Sequence, residues 1–166
     1  MVERRIVVDE MQLEFRGLFD VGEFYRLIDS WLKEKAYVKH ERRNYEHAYV
    51  EGKQIEVWKQ PYKKVTDYAK YVIDIKILIE DLKDVVTEKD GKKVRLNQGN
   101  VSITFSGYLE TDYEHRWEKK PLFYFMRAIF DNYVFKVHTE KFEKGLVEDV
   151  NQLHTIVKAF LNLYRY

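Results

Sequence analysis

The strictest pattern in the chain is an alternation of apolar and polar side chains near its middle. The apolar members are Ala69, Tyr71, Ile73, Ile75, Ile77 and Ile79, and the charged residues that alternate with them are Lys70, Asp74, Lys76 and Glu80. Since successive side chains of a β-strand point to opposite faces, the pattern predicts a long strand from about residue 68 into Val86. Only one face of this strand is apolar, so the fold needs a second layer that covers one side of a sheet.

Turn-forming residues separate several further strand-like segments, which are residues 10–16, 37–50, 54–60, 94–96 and 101–113. A turn at residues 51–53 joins two of them into a hairpin, and Pro61 ends its second arm because proline cannot donate to a strand ladder. Asp90 and Gly91 form a hairpin-turn signal after the long strand. Residues 97–100 predict another turn, or a bulge, before the last strand. These connections favour a mostly antiparallel sheet.

One helix is predicted directly after the first strand. Asp20 and Glu23 have the spacing of a capping box, in which each side chain satisfies a free backbone N–H of the other residue. Apolar side chains then recur every three or four residues to about Lys35, and they are Phe24, Leu27, Ile28, Trp31 and Leu32. This spacing predicts a helix with one apolar face.

Two more helices are predicted after the last strand. Pro121 suits the first position of a helix, and a short, very apolar helix follows it to Phe135. Thr139 is expected to cap a long helix that continues to about Tyr164. The apolar stripe of this helix consists of Leu146, Val150, Leu153, Val157, Phe160 and Tyr164. Such a stripe must pack on another element.

The predicted order is therefore strand, helix, about five antiparallel strands, short helix and long helix. Because strands and helices are segregated, we expect an α+β fold with a mostly antiparallel, curved sheet of about six strands. With no linker, repeat or low-complexity tract, residues 1–166 are expected to form a single domain. A curved sheet around a long carboxy-terminal helix resembles the helix-grip arrangement of START-like proteins, which usually have two helices after the first strand.

Composition excludes several classes of protein. The 166 residues contain no cysteine, which excludes disulfide frameworks, thiolate nucleophiles and cysteine-based metal sites. The chain has 29 Lys and Arg residues and 28 Asp and Glu residues. Its net charge of +1 therefore does not by itself indicate a nucleic-acid partner. Abundant Lys and Glu, with only 7 Gly and 2 Pro, predict a heat-adapted, archaeal source. No apolar run approaches the ~20 residues of a membrane-spanning helix and no signal peptide is visible, so we expect a cytoplasmic protein.

No pattern indicates a catalytic or cofactor site. The chain lacks a nucleophile elbow, a dinucleotide or phosphate loop, and a histidine pair at metal-binding spacing. We therefore expect no cofactor and favour a non-catalytic protein over an enzyme. Glu110, Asp112 and Glu114 share one face of an extended segment and are weak candidates for a hard cation such as Mg²⁺. Basic residues follow at once, so a solvated strand edge is the simpler interpretation.

Aromatic residues crowd around the short helix at residues 121–135, in excess of what one apolar face requires. The leading hypothesis is a non-catalytic protein that holds a hydrophobic small molecule or lipid in a cavity between the sheet and the long helix. The sheet side of this cavity would consist of Tyr71, Ile73 and Ile75. The helix side would consist of Trp117, Phe123, Tyr124, Phe160 and Tyr164.

Two alternative functions come from other features. Residues 33–71 are rich in basic and aromatic side chains, a combination with which sheets bind single-stranded RNA, so an RNA- or ribosome-associated factor is the second hypothesis. Its contacts would be Arg42, Arg43, Lys63 and Lys64. The third hypothesis is a structural homo-oligomer, a homodimer whose interface is the Pro121–Phe135 helix.

The segment at the end of the last strand carries a resemblance. Residues 107–113 read GYLETDY and residues 116–118 read RWE. This stretch is similar to a segment of uncharacterised archaeal proteins, and the likeness extends at most over the carboxy-terminal third. Because no activity is attached to that group, the resemblance implies no catalytic or binding residue.

Overall fold

The computed structural model describes residues 3–111 and 136–164, together with Phe125 and Ile129. For residues 136–139 and 164 it describes the backbone only. The described strands are β1 (Glu3–Phe19), β2 (Glu41–Tyr49), β3 (Gly52–Lys59), β4 (Tyr62–Lys64), β5 (Ala69–Lys89) and β6 (Lys92–Thr111). The described helices are α1 (Val21–Glu34) and α2 (Lys136–Leu161), and a short 3-10 turn at Asn162–Tyr164 follows α2.

All six strands belong to one antiparallel sheet. Their order is β1-β6-β5-β3-β2, and β4 pairs with the amino-terminal part of β5. Both helices pack on the same face of this curved sheet, and their apolar side chains join those of the strands in one core. The predicted α+β fold with a six-stranded antiparallel sheet is therefore confirmed.

The hairpin of β5 and β6 occupies the centre of the sheet. Its turn consists of Asp90 and Gly91, whose φ angles are 52° and 75°. Two-residue hairpin turns of this kind need positive φ at both central positions, which aspartate tolerates and glycine adopts without strain. The predicted turn is therefore confirmed.

The turn or bulge predicted at residues 97–100 is wrong, because β6 continues through these residues. The irregularity lies on the partner strand, where the register of β5 shifts between Glu80 and Lys83 and Asp81 has a φ of 54°. A Cβ at Gly99 would lie 3.2 Å from the backbone oxygen of Glu80. The glycine therefore permits the close approach of β5 at its bulge.

β1 is much longer than the strand predicted at residues 10–16. Register shifts between Ile6 and Val8, and between Val8 and Met11, interrupt its side-chain alternation. The sequence pattern did not indicate β4 either, since three residues are too short to show an alternation. Both differences arise where the alternation of side chains along the strand is interrupted or is too short to detect.

The predicted start of α1 is confirmed. Asp20 is the N-cap, and its carboxylate accepts a hydrogen bond of 3.0 Å from the backbone N–H of Glu23. The carboxylate of Glu23 itself pairs with Arg26. The apolar face of α1 is buried in the core through Phe24, Ile28, Trp31 and Leu32.

α2 packs against β1 and β6 through the predicted apolar stripe. The fully buried members of the stripe are Leu146, Val150, Leu153 and Val157, whereas Phe160 is half-buried. Leu161, which the prediction did not include, is also buried. Gly107 lies beneath the helix, and a Cβ there would come within 3.3 Å of Leu146 and Val150. Thr139 lies within the helix, three residues after Lys136, so the prediction that it caps the helix is wrong. Neither α1 nor α2 combines the length and apolar content needed to cross a membrane.

We expect Leu153→Ala to lower the free energy of unfolding by about 2–5 kcal/mol, because truncating a fully buried leucine leaves a cavity under α2. Urea unfolding followed by circular dichroism measures this change. The adjacent exposed residue provides the control, and Gln152→Ala should change the free energy of unfolding by less than about 0.5 kcal/mol. Equal effects of the two substitutions would contradict the packing of α2 on the sheet.

Candidate functional site

The sheet has one face that α1 and α2 leave uncovered, here termed the open face. Residues directly opposite each other on antiparallel strands lie on the same face, so the register assigns side chains to it. Along β5, Ile75 and Ile77 are buried on the helix side, whereas Lys76 between them is exposed on the open face. The open face therefore consists of the residues that alternate with the core.

One row of side chains crosses the open face from β2 to β1, here termed the cross-strand row. Its members, each directly opposite the next, are Arg43 on β2, Trp58 on β3, Lys76 on β5, Thr104 on β6 and Gln12 on β1. Neighbouring strands lie about 4.8 Å apart, so the backbones of Arg43 and Lys76 flank that of Trp58 at similar distances. An indole ring therefore lies between two cationic side chains.

Most of the cross-strand row lies in a groove of about 550 Å³ on the open face. The groove is lined by Arg43, Gln54, Glu56, Val57, Trp58, Lys76, Ile77, Leu78, Ser102 and Thr104. Sites for small molecules have volumes of roughly 300–1,000 Å³, so the groove is large enough to hold a ligand. Its indole ring, two cations and two hydroxyl groups suit a planar ligand that carries negative charge.

Contacts with neighbouring strands hold Trp58 in place. Its indole N–H donates a hydrogen bond to the carboxylate of Asp74, which is only 6% exposed. The ammonium group of Lys76 lies 5.3 Å from the centre of the indole ring, within the range of a cation–π interaction. Because these contacts fix the ring before a ligand binds, binding costs less conformational entropy.

Arg43 has an acidic and an aromatic neighbour. Its guanidinium lies 3.3 Å from the carboxylate of Glu56 and 6.0 Å from the ring centre of Tyr45. Both side chains of the ion pair are exposed, so the pair stabilises the fold by at most about 1 kcal/mol. A phosphate group can therefore compete with Glu56 for Arg43.

A second group of cations and rings lies at the other end of the open face. The ammonium group of Lys70 lies 5.1 Å from the ring centre of Tyr62, and the guanidinium of Arg4 lies 4.9 Å from that of Tyr108. Both cations also pair with Glu110, Lys70 at 3.0 Å. Burial by itself would raise the pKa of Glu110, but the hydrogen bonds and charges of Arg4 and Lys70 outweigh it and lower the pKa.

Glu110 is the described member of the predicted carboxylate trio. One of its carboxylate oxygens contacts Arg4 and the other contacts Lys70, so both are engaged by cations. Asp112 and Glu114 lie outside the described residues, and the trio stays a prediction. Over residues 3–111 and 140–163, no three His, Asp or Glu side chains form a group that could hold a metal ion.

Arg42 and Arg43, two of the cations predicted to contact RNA, are adjacent but have different partners. Arg43 lines the groove, whereas Arg42 lies in a register shift of β2 and donates a hydrogen bond of 3.0 Å to the side-chain oxygen of Gln60. The shift determines which of the two arginines pairs with Trp58, and it has no signal in the local sequence.

Lys63 and Lys64, the other two predicted cations, lie on opposite sides of the sheet. Lys63 lies on the helix side, 3.3 Å from the carboxylate of Asp149 on α2, which also accepts a 2.7 Å hydrogen bond from the Tyr37 hydroxyl. Lys64 lies opposite Lys70 on the open face. The structure thus brings Arg43 and Lys64 to the open face and directs Lys63 to α2.

The predicted cavity residues whose side chains the structure describes are Tyr71, Ile73, Ile75 and Phe160. The three strand residues are buried in the core beneath the helices. A Cβ at Gly145 would lie only 2.5 Å from the hydroxyl oxygen of Tyr71, so α2 lies directly against this ring. Phe160 is half-buried, with its ring centre 6.2 Å from that of Phe24. The described cavity residues therefore belong to the packed core.

The other predicted cavity residues lie outside the described part of the chain. They are Trp117, Phe123 and Tyr124, together with the side chain of Tyr164. The predicted Pro121–Phe135 helix also lies outside the described residues, apart from Phe125 and Ile129. These two residues are helical, and their side chains are 65% and 44% exposed. The cavity and the dimer interface therefore stay predictions.

Sequence reasoning did not select Lys76, Ser102 or Thr104 as site residues. Trp58 was recognised only as one of many aromatic residues between positions 33 and 71. Alternation indicates that Lys76 faces away from the core, but it does not reveal which residues lie opposite it. The missing information is the strand register, which depends on turns and bulges distant in sequence.

Comparison with known proteins finds no family model, no curated protein and no solved structure that matches the chain. The resemblance of residues 107–118 to archaeal proteins therefore stays a prediction.

The lowered pKa of Glu110 makes stability depend on pH. The ionised carboxylate stabilises the fold above the usual pKa of 4.5, and this contribution is lost as the pH falls through the lower pKa of the folded state.

We expect Glu110→Gln to lower the free energy of unfolding at pH 7 and to flatten its decline below pH 4.5. Urea unfolding at a series of pH values measures both effects. Glu80→Gln, an exposed change on the same face, is the control, and a wild-type profile for Glu110→Gln would contradict the ion pairs.

Proposed function

We propose that the protein binds single-stranded RNA on the open face of its sheet. The observation that carries this proposal is Trp58 in the groove, with Arg43 and Lys76 on either side. Proteins that bind single strands combine aromatic rings, on which bases stack, with cations that follow the phosphates. A base stacked on Trp58 would have its neighbouring phosphates within reach of both cations.

Aromatic side chains on β2 extend this surface. The rings of Tyr45 and His47 are parallel with centres 6.1 Å apart, and the ring of Tyr49 lies 4.3 Å from that of His47. Tyr45 and Tyr49 are 45% and 57% exposed. RNA-binding sheets present exposed rings of this kind to unstacked bases, so the β2 edge is a suitable approach to the groove.

The charge of the open face supports modest, salt-dependent affinity. The net charge of the chain is only +1, and Glu56 lies beside Arg43 in the groove. Each phosphate contact releases counterions, so binding through Arg43 and Lys76 should weaken as salt rises. The hydroxyl groups of Ser102 and Thr104 can donate hydrogen bonds to a base edge or a ribose hydroxyl.

We expect Trp58→Ala to weaken binding of a single-stranded RNA oligonucleotide about tenfold or more, because stacking on an aromatic ring contributes about 1–3 kcal/mol per base. Trp58→Phe keeps a ring and should retain most of the affinity. Fluorescence anisotropy of a labelled oligonucleotide at about 50 mM salt measures both variants, with circular dichroism as the check on folding.

Two substitutions that change the net charge equally separate binding in the groove from a general charge effect. Glu56→Gln removes the carboxylate beside Arg43 and should raise the affinity about twofold to fivefold, in line with the strength of exposed ion pairs. Glu23→Gln removes an exposed carboxylate from α1 and should leave the affinity unchanged. Absence of RNA binding by the wild type at low salt, or equal effects of these two changes, would overturn the proposal.

A carrier of a hydrophobic small molecule or lipid is the second proposal. Its support is the strand order, with β1 beside β6 and α2 packed against both, which resembles the helix-grip arrangement of START-like proteins. α2 packs so closely over Gly107 that no ligand fits between them. A ligand cavity would therefore have to be enclosed by the side chains of Trp117, Phe123 and Tyr124.

Native mass spectrometry of protein purified from its own host tests the carrier proposal. We expect the gentle spectrum to contain the mass of a bound small molecule that is lost on denaturation. An unliganded mass in both spectra would contradict the carrier proposal and would not affect RNA binding. An RNA adduct in the gentle spectrum would favour the first proposal over the second.

We propose that the protein is cytoplasmic and has a heat-adapted, archaeal source, and its composition supports the heat adaptation. Charged residues make up 34% of the chain, and cysteine is absent. This usage is associated with proteins that function at high temperature.

A further inference from the structure

A second depression lies on the open face, at the bulge of β5, and is here termed the polar pocket. Its volume is about 280 Å³, half that of the groove. Its polar side chains are Arg16, Glu51, Asp81, Lys83, Gln98 and Asn100. The bulge between Glu80 and Lys83 opens this space, because it displaces β5 from a regular register with β6.

β6 connects the groove with the polar pocket. Thr104 and Ser102 line the groove, and Asn100 and Gln98 line the polar pocket. These four residues alternate along one strand and share the open face, so hydroxyl and amide groups lead from one depression to the other. The strand rises about 3.4 Å per residue, so this polar track is about 20 Å long.

The two depressions differ in chemistry. The groove has an indole ring between cations, which suits any base because every base has a π-face. The polar pocket has two cations, two carboxylates and two amides, so it offers both donors and acceptors. The edge of a nucleobase needs such a mixture, whereas the two carboxylates disfavour a phosphate.

We infer that a bound RNA strand follows β6 from the groove into the polar pocket, where Gln98 and Asn100 recognise the edge of one base. This inference rests on the proposed function. A length of about 20 Å accommodates about six nucleotides at a stacked spacing of 3.4 Å per nucleotide, and fewer when the strand is extended. The groove then supplies affinity for any sequence, and the polar pocket supplies base preference.

The test compares dinucleotides with hexanucleotides, each of which consists of A, C, G or U alone. The wild type should bind the dinucleotides with little base preference. The ratio of its affinities for the best and the worst hexanucleotide should be about ten or more, as one well-placed base contact provides. The double substitution of Gln98→Ala and Asn100→Ala should reduce this ratio towards one and leave dinucleotide binding unchanged.

A matched control removes two amides that lie away from the open face. Asn151→Ala with Gln152→Ala, both exposed on α2, should retain the wild-type ratio. A wild type that binds every hexanucleotide equally well, or a Gln98 and Asn100 variant that keeps the preference, would overturn the inference while RNA binding itself stands. Absence of binding to dinucleotides and hexanucleotides alike would overturn the proposed function, and the inference with it.

Discussion

β5 and β6 pair from the Asp90 turn to the opposite end of the sheet, and every other strand except β2, which pairs with β3, is added to one of these two. β1 joins β6, whereas β3 and β4 join β5. Since the side-chain period of a strand is two, a shift of this pairing by one residue would exchange the buried and exposed faces of the strand that moved. The register of this hairpin therefore decides which residues α1 and α2 bury and which residues form the open face.

The open face owes its chemistry to residues that are far apart in sequence. Arg43, Trp58, Lys76 and Thr104 come from four strands and meet because the register aligns them. The same hairpin contains the β5 bulge, with Asp81 in a left-handed conformation, and the polar pocket lies at this irregularity. Regular strand pairing thus forms the groove, and the interruption of that pairing at the β5 bulge forms the polar pocket.

Local patterns predicted elements well where one physical cause dominates. The alternation of β5 follows from burial of one face, and the Asp20 cap follows from a helix start that needs a hydrogen-bond acceptor. Prediction failed where strand pairing overrides local preference, since residues 97–100 favour a turn but pair as a strand. The cap predicted at Thr139 was also wrong, because this residue lies within a helix that begins earlier. The site was found only in part, since Arg43 carries a local signal of basic and aromatic density while Lys76 has none.

The most direct measurement is a titration of ¹⁵N-labelled protein with single-stranded RNA, followed through the indole N–H signals in NMR spectra. Trp58→Phe assigns the Trp58 signal, and Trp31, buried on α1, is an internal reference on the other side of the sheet. If RNA binds on the open face, the Trp58 signal should shift in a saturable way while the Trp31 signal stays in place. A Trp58 signal that does not move at saturating RNA would contradict binding in the groove.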